Sequence, residues 1–127
     1  MSKEIVIIIG ILIIVFGLNY ISEKYTDDSI NLLYGNFESL KKSISNDNNI
    51  DSSDNINELI NNWNNVSEYL AFYIEHDELE KVDTYLTEVK SSIERNDFNN
   101  ASEKLDVCEF ILTHINEKQA FVLKNIF

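Results

Sequence analysis

Residues 56–74 read INELINNWNNVSEYLAFYI, and within them Ile56, Leu59, Ile60, Trp63, Val66, Leu70 and Ile74 recur at separations of three and four. That spacing returns to one side of a helix every turn, so it predicts a helix with a single apolar stripe, which Tyr69, Phe72 and Tyr73 widen. Trp63, near the middle of the stripe, is the expected core anchor. The chain contains no proline, and its three glycines are Gly10, Gly17 and Gly35. The residues that usually punctuate hairpins and tight turns are therefore scarce, which favours long helices over sheet.

Similar stripes lie on both sides. Upstream, Ile30, Leu33, Phe37, Leu40 and Ile44 keep the same spacing, and the polar run Ser45, Asn46, Asp47, Asn48, Asn49 ends that helix. The second helix is expected to start near Ser52, Ser53 or Asp54. The cluster Glu75, His76, Asp77, Glu78 interrupts the pattern, with Asp77 as N-cap and Glu80 as its capping-box partner. A third helix then carries Leu79, Val82, Leu86, Val89 and Ile93 and ends around Asn96. Asp97, Asn99 or Asn100 caps a fourth. This last helix is expected to bury Phe98, Ala101, Leu105, Cys108, Ile111, Leu112, Ile115, Phe121 and Val122, before an apolar tail of Leu123, Ile126 and Phe127.

Residues 5–22 contain no charged side chain and would span about 27 Å as a helix. They read as an N-terminal transmembrane helix, flanked by Tyr20 and Tyr25 at the interface and by Glu23, Lys24, Asp27 and Asp28 in water. A cleaved signal peptide is the rival, but no small-x-small cleavage site follows. The whole expectation is an all-α chain: an anchor at residues 1–25, then an acidic domain at residues 26–127 forming an antiparallel bundle of about four helices, the first continuous with the anchor. A stack of two helical hairpins is the alternative. The expected location is the cell membrane, single-pass, with the N-terminus cytoplasmic and the C-terminal domain outside, in contact with the bilayer through residues 5–22.

The net charge is −12, and residues 26–127 hold 20 of the 22 acidic and 8 of the 10 basic side chains. Such a domain repels phosphate backbones and anionic head groups, which disfavours nucleic acid as a partner. Cys108 is the single cysteine, so no disulfide can form within the chain, and its place among Leu105, Ile111 and Leu112 points to core packing. No nucleophile elbow, glycine-rich phosphate loop, paired-cysteine motif or H-E-x-x-H occurs, so no enzymatic activity and no cofactor are expected. Glu75, His76 and Glu80 are the weak candidates for metal ligands, because one imidazole and two carboxylates share a helix junction. A helix N-terminus attracts acidic groups for electrostatic reasons alone, which is the plainer account of the cluster. His114 and Glu117 read as a surface pair. Ile126 and Phe127 either tuck into the bundle or contact a partner.

The Trp63 helix leading to Tyr73-Ile74-Glu75-His76-Asp77-Glu78-Leu79, the helix around Leu86 and the closing Asn125-Ile126-Phe127 together resemble an uncharacterised clostridial (Firmicute) family of membrane-anchored helical proteins, domain of unknown function 4363. The resemblance extends over the whole chain and implies an anchored helical domain in spore-forming bacteria, without any reaction or catalytic residue. With no catalytic constellation, the expected function is a non-enzymatic interaction or scaffold module of the cell envelope, engaging another membrane or envelope protein. The alternative is a sensor that binds a cation or small ligand between its helices.

Overall fold

The computed structural model describes residues 2–126, apart from the side chains of Asn19, Ser22, Glu23, Thr26, Val122, Leu123, Asn125 and Ile126. Four helices follow one another: α1 (Lys3–Ser45), α2 (Asn49–Leu70), α3 (His76–Glu94) and α4 (Phe98–Ile126). The packed pairs are α1 with α2, α2 with α3, α3 with α4, and α4 with α1, so the helices close into a ring rather than stacking as hairpins. Cross-helix contacts set the direction of each pair. Asn36 meets Asn62 while Ser43 meets Asn55, and Glu78 meets Lys118 while Glu88 meets Lys104. Partner numbers rise along one helix and fall along the other, and Tyr34–Thr113 with Lys41–Glu109 does the same for α1 and α4. All neighbours are antiparallel, as short connections between bundle helices require.

The core is made by the stripes the periodicity picks out. Leu33, Leu40, Leu59, Leu70, Val89, Ile93, Leu105 and Leu112 are fully buried, and Trp63 and Phe37 lie among them as the largest fully buried side chains. The outer flank of the same helices departs from expectation. Phe72 is 82% exposed because it lies in the turn beyond the end of α2, and Phe121 is 67% exposed because it lies on the side of α4 away from the buried stripe. Val122 and the apolar tail at Leu123, Ile126 and Phe127 fall outside the described side chains.

The helix boundaries follow from local chemistry. Asn48 caps α2: its Oδ1 accepts from Asp51 N at 3.0 Å, and its amide donates to Asp51 Oδ2 at 2.9 Å. This starts α2 earlier than the Ser52–Asp54 cluster suggested, since asparagine is as good an N-cap as serine or aspartate. Ser52 lies inside the helix instead. At the other end α2 stops at Leu70, and Ile74 stays buried because residues 71–74 coil into a turn in which Ile74 N donates to Leu70 O at 2.8 Å. Glu75, not Asp77, holds the N-cap position of α3 and makes no side-chain cap bond, while Asp77 lies in the first turn. Asp97 caps α4 as expected, accepting from Asn100 N at 3.2 Å.

The α1–α2 and α3–α4 connections share one geometry. Asp47 N donates to Ile44 O and Asn48 N to Ser43 O; Asn96 N donates to Ile93 O and Asp97 N to Ser92 O. Both are Schellman motifs, closed by a residue in the left-handed region, Asp47 at φ 52° and Asn96 at φ 58°. Asn and Asp tolerate that region better than other non-glycine residues, which is how a glycine-poor chain turns here. Asn49 ties the two connections together, its amide donating to Asn96 Oδ1 at 2.6 Å and Ile93 O at 3.0 Å.

The N-terminal part of α1 corrects the sequence reading. Ser2 caps it, accepting from Ile5 N at 3.4 Å, and burial begins only at Ile30. Among the described residues no helix is long and apolar enough to cross a membrane. The uninterrupted apolar run is residues 5–18, which is 14 residues, or about 21 Å of helix against a hydrocarbon core of about 30 Å. Asn19, which the span had included, is polar. Tyr25 is not an interface anchor either, because its ring packs edge-on against Tyr69 of α2 at 5.0 Å. The expectation of a single-pass membrane protein, with its bilayer contact through residues 5–22 and its outward-facing domain, is withdrawn on this finding.

Candidate functional site

The His76 junction does not gather its polar groups into one site. His76 Nε2 and Glu80 Oε1 are 3.1 Å apart, one turn along α3, with both side chains mostly in solvent. Glu78 points the other way and pairs with Lys118 of α4 at 3.2 Å. Glu75 sits before the helix, and among the described residues no group of three His, Cys, Asp or Glu side chains is placed to hold a metal ion. The acidic first turn of α3 is accounted for by the helix dipole and by the bridge to α4.

Other polar contacts hold helices in register. Lys41 Nζ lies 2.7 Å from Glu109 Oε2 and 3.6 Å from Glu38 Oε1. The hydrogen bond to Glu109 raises the lysine pKa above its ordinary value, against the opposing effect of burial. Tyr34 Oη and Thr113 Oγ1 share a hydrogen bond of 2.9 Å beside that pair. Asn100 donates to Ser92 Oγ at 2.6 Å, and Ser92 in turn donates to Glu88 O. Cys108 is fully buried, its Sγ 4.0 Å from Val82 O, and burial first, then the nearby Glu109 and Asp83 carboxylates, pushes its thiol up to about 12. A thiol so placed is a packing group, as its position in the apolar stripe implied.

Depressions lined by described residues mark the bundle surface. One of about 390 Å³ lies between α1 and α2 near their connection, lined by Ser39, Ser43, Asn48, Asp51 and Asn55 among others, and the side chains of Ser43, Asn48, Asp51 and Asn55 are already bonded to one another or to backbone. One of about 180 Å³ lies over the edge of Trp63, between α2 and α3. The third, also about 180 Å³, is lined by Glu78, Lys81, Phe110, Ile111, His114 and Ile115 in the groove between α3 and α4. None sets a nucleophile beside a base. His114 lines that third groove.

Apolar surface left outside the core is the more distinctive feature. Residues 5–9, 11–16 and 18 of α1 present exposed Ile, Leu, Val and Phe side chains on every side of the helix, from 41% exposure at Val15 to 66% at Ile13. On α4, Val107, Phe110 and Phe121 are exposed along the side away from the core, 40%, 75% and 67% respectively. Sequence reasoning assigned Phe121 to the core and passed over Phe110. The available signal was a second spacing of three, four and seven through residues 107, 110, 114 and 121, out of phase with the buried stripe.

The structure thus defines a class: a closed antiparallel four-helix bundle with a projecting apolar helix. The chain belongs to the family described as Domain of unknown function (DUF4363), whose model matches residues 20–126. That bears out the resemblance to this family over residues 20–126, and it carries neither the clostridial origin nor the membrane anchoring. No curated protein and no solved structure matches the chain.

Proposed function

We propose that the chain is a non-enzymatic interaction module, in which the bundle holds and orients the apolar N-terminal segment of α1 for docking on another protein. The observation that carries this reading is the all-round exposure of residues 5–18. A helix of 14 residues is marginal by itself in water, and one that is apolar on every face is ordinarily covered. The bundle supplies what an isolated helix lacks, because α1 runs unbroken from Lys3 to Ser45 and its second half is clamped by α2 and α4. The partner presents a complementary apolar helical surface, the mode in which apolar helix residues act as anchors. Polar groups on the bundle support the same view, since the bonded ones serve packing and register.

The experiment is affinity isolation of the tagged full-length chain beside an Ile9→Asp/Ile13→Asp variant. A stoichiometric protein partner is expected with the parent and lost with the variant, at unchanged bundle helicity. Recovery of no partner, or of the same partner with both chains, overturns the reading. The alternative of a cation or small-ligand sensor gains no specific support from the described residues.

A further inference from the structure

Beyond that reading, and on a different surface, we propose that a second copy of this chain docks antiparallel on the outer face of α4, with the His114 residues of the two copies facing each other across a two-fold axis. The outer face of α4 reads nearly the same in both directions from His114. Val107 precedes it by seven residues and Phe121 follows it by seven, both exposed. Two such helices laid antiparallel about His114 put Val107 of each against Phe121 of the other. Phe110, 75% exposed, then meets the second copy one turn from the axis, at the level of its Lys118. The groove lined in part by Phe110, Ile111, His114 and Ile115 borders this face on the side of α3.

The charges follow the same symmetry. Glu103 lies eleven residues before His114 and Lys124 ten after, both exposed. Antiparallel pairing therefore brings Glu103 of each copy to Lys124 of the other, one opposite-charge pair at each end. A parallel pairing would set Glu103 against Glu103. Each copy carries a net charge of −12, and exposed Asp106 and Glu117 add to the repulsion along α4, so the two Glu103–Lys124 pairs offset part of it and the apolar contact of Val107, Phe110 and Phe121 carries the association. Isologous contact, the same patch on both partners, is the usual way a homodimer forms.

The test is disulfide trapping in the full-length chain, with Cys108 left in place because it is buried. His114→Cys is expected to yield a covalent dimer under mild oxidation. Asn99→Cys, on the same helix but fifteen residues from the axis, is expected to yield none. Glu103→Lys in the His114→Cys chain should reduce trapping by roughly fivefold, the scale of a surface ion pair lost twice, and Glu103→Lys with Lys124→Glu should restore it. Failure of His114→Cys to trap in a cooperatively folding chain overturns the proposal. So does equal trapping at residue 99, or insensitivity to Glu103→Lys, either of which would assign association to another surface such as the α1 segment. A dimer that survives Ile9→Asp/Ile13→Asp separates this inference from the partner-docking reading above.

Discussion

The indole N–H of Trp63 donates to Asp83 Oδ1 at 2.6 Å, although the ring is buried and the carboxylate stands on the exposed side of α3. The largest core side chain thus reaches the surface through its one polar atom, and a carboxylate on the neighbouring helix satisfies it. Large buried aromatics with a polar tip usually find such a partner. The pair also fixes how α2 and α3 face each other, since it joins the midpoints of both helices.

Trp63→Ala is expected to cost on the order of 3–5 kcal/mol, and Asp83→Ala about 1–3 kcal/mol through loss of a charge-assisted hydrogen bond. Chemical denaturation followed by far-UV circular dichroism measures both. An Asp83→Ala loss as large as that of Trp63→Ala would contradict the division into ring burial and polar tip.

Ser52 is fully buried on α2, and its hydroxyl has no hydrogen-bond partner among the described residues. An unpaired buried hydroxyl costs free energy that a methyl does not. Ser52→Ala should therefore stabilise the bundle by about 1 kcal/mol. A loss of stability in urea titration would show that the hydroxyl is bonded in solution.

Asp47 turns the α1–α2 connection with a positive φ of 52°. Glycine adopts that conformation without the steric penalty of a Cβ, whereas a β-branched residue takes the full penalty. Asp47→Gly is expected to be neutral or to stabilise by up to about 1 kcal/mol, and Asp47→Val to destabilise by about 1–2 kcal/mol. Equal stability of the two variants would mean that the Schellman turn is not formed.

Cys108 should resist thiol reagents in the native state and react fully once the chain unfolds. Its folded pKa is raised to about 12 from an ordinary 9.0. Between those values the unfolded thiol loses its proton while the folded one keeps it, so the unfolded state binds fewer protons and stability falls as pH rises above 9. Cys108→Ala should remove the thiol's share of this alkaline decline. Lys41 acts in the same sense, since its pKa is also raised and its contribution is lost as pH rises through the folded value. Rapid native-state alkylation of Cys108 near neutral pH would contradict its burial.

The four helices were legible in the sequence because each has one apolar stripe of helical period, and Trp63, Leu86, Leu105 and Cys108 lie in the core where those stripes put them. The connections were less so. Asn48 was counted with the breaking run rather than as a cap, because the same short amide that ends one helix can start the next. Hydrophobicity alone places Phe72 and Phe121 inward, yet α2 ends before Phe72 and the phase of α4 sets Phe121 outside. The membrane span fails for a related reason: residues 5–22 carry no charge, yet Asn19 ends the apolar run after Leu18. The pairing of Glu78 with Lys118 depends on how α3 and α4 face each other, which local sequence does not encode, whereas His76 and Glu80 stand one turn apart on α3 itself.

The most direct test of the proposed function is a photo-activatable cross-linker placed at Ile13 in the full-length chain in cells, with the same group at exposed Asp54 on α2 as control. The account predicts a discrete adduct with one second protein from residue 13 and none from residue 54. Absence of any protein adduct at residue 13, or the same adduct from both positions, would contradict it.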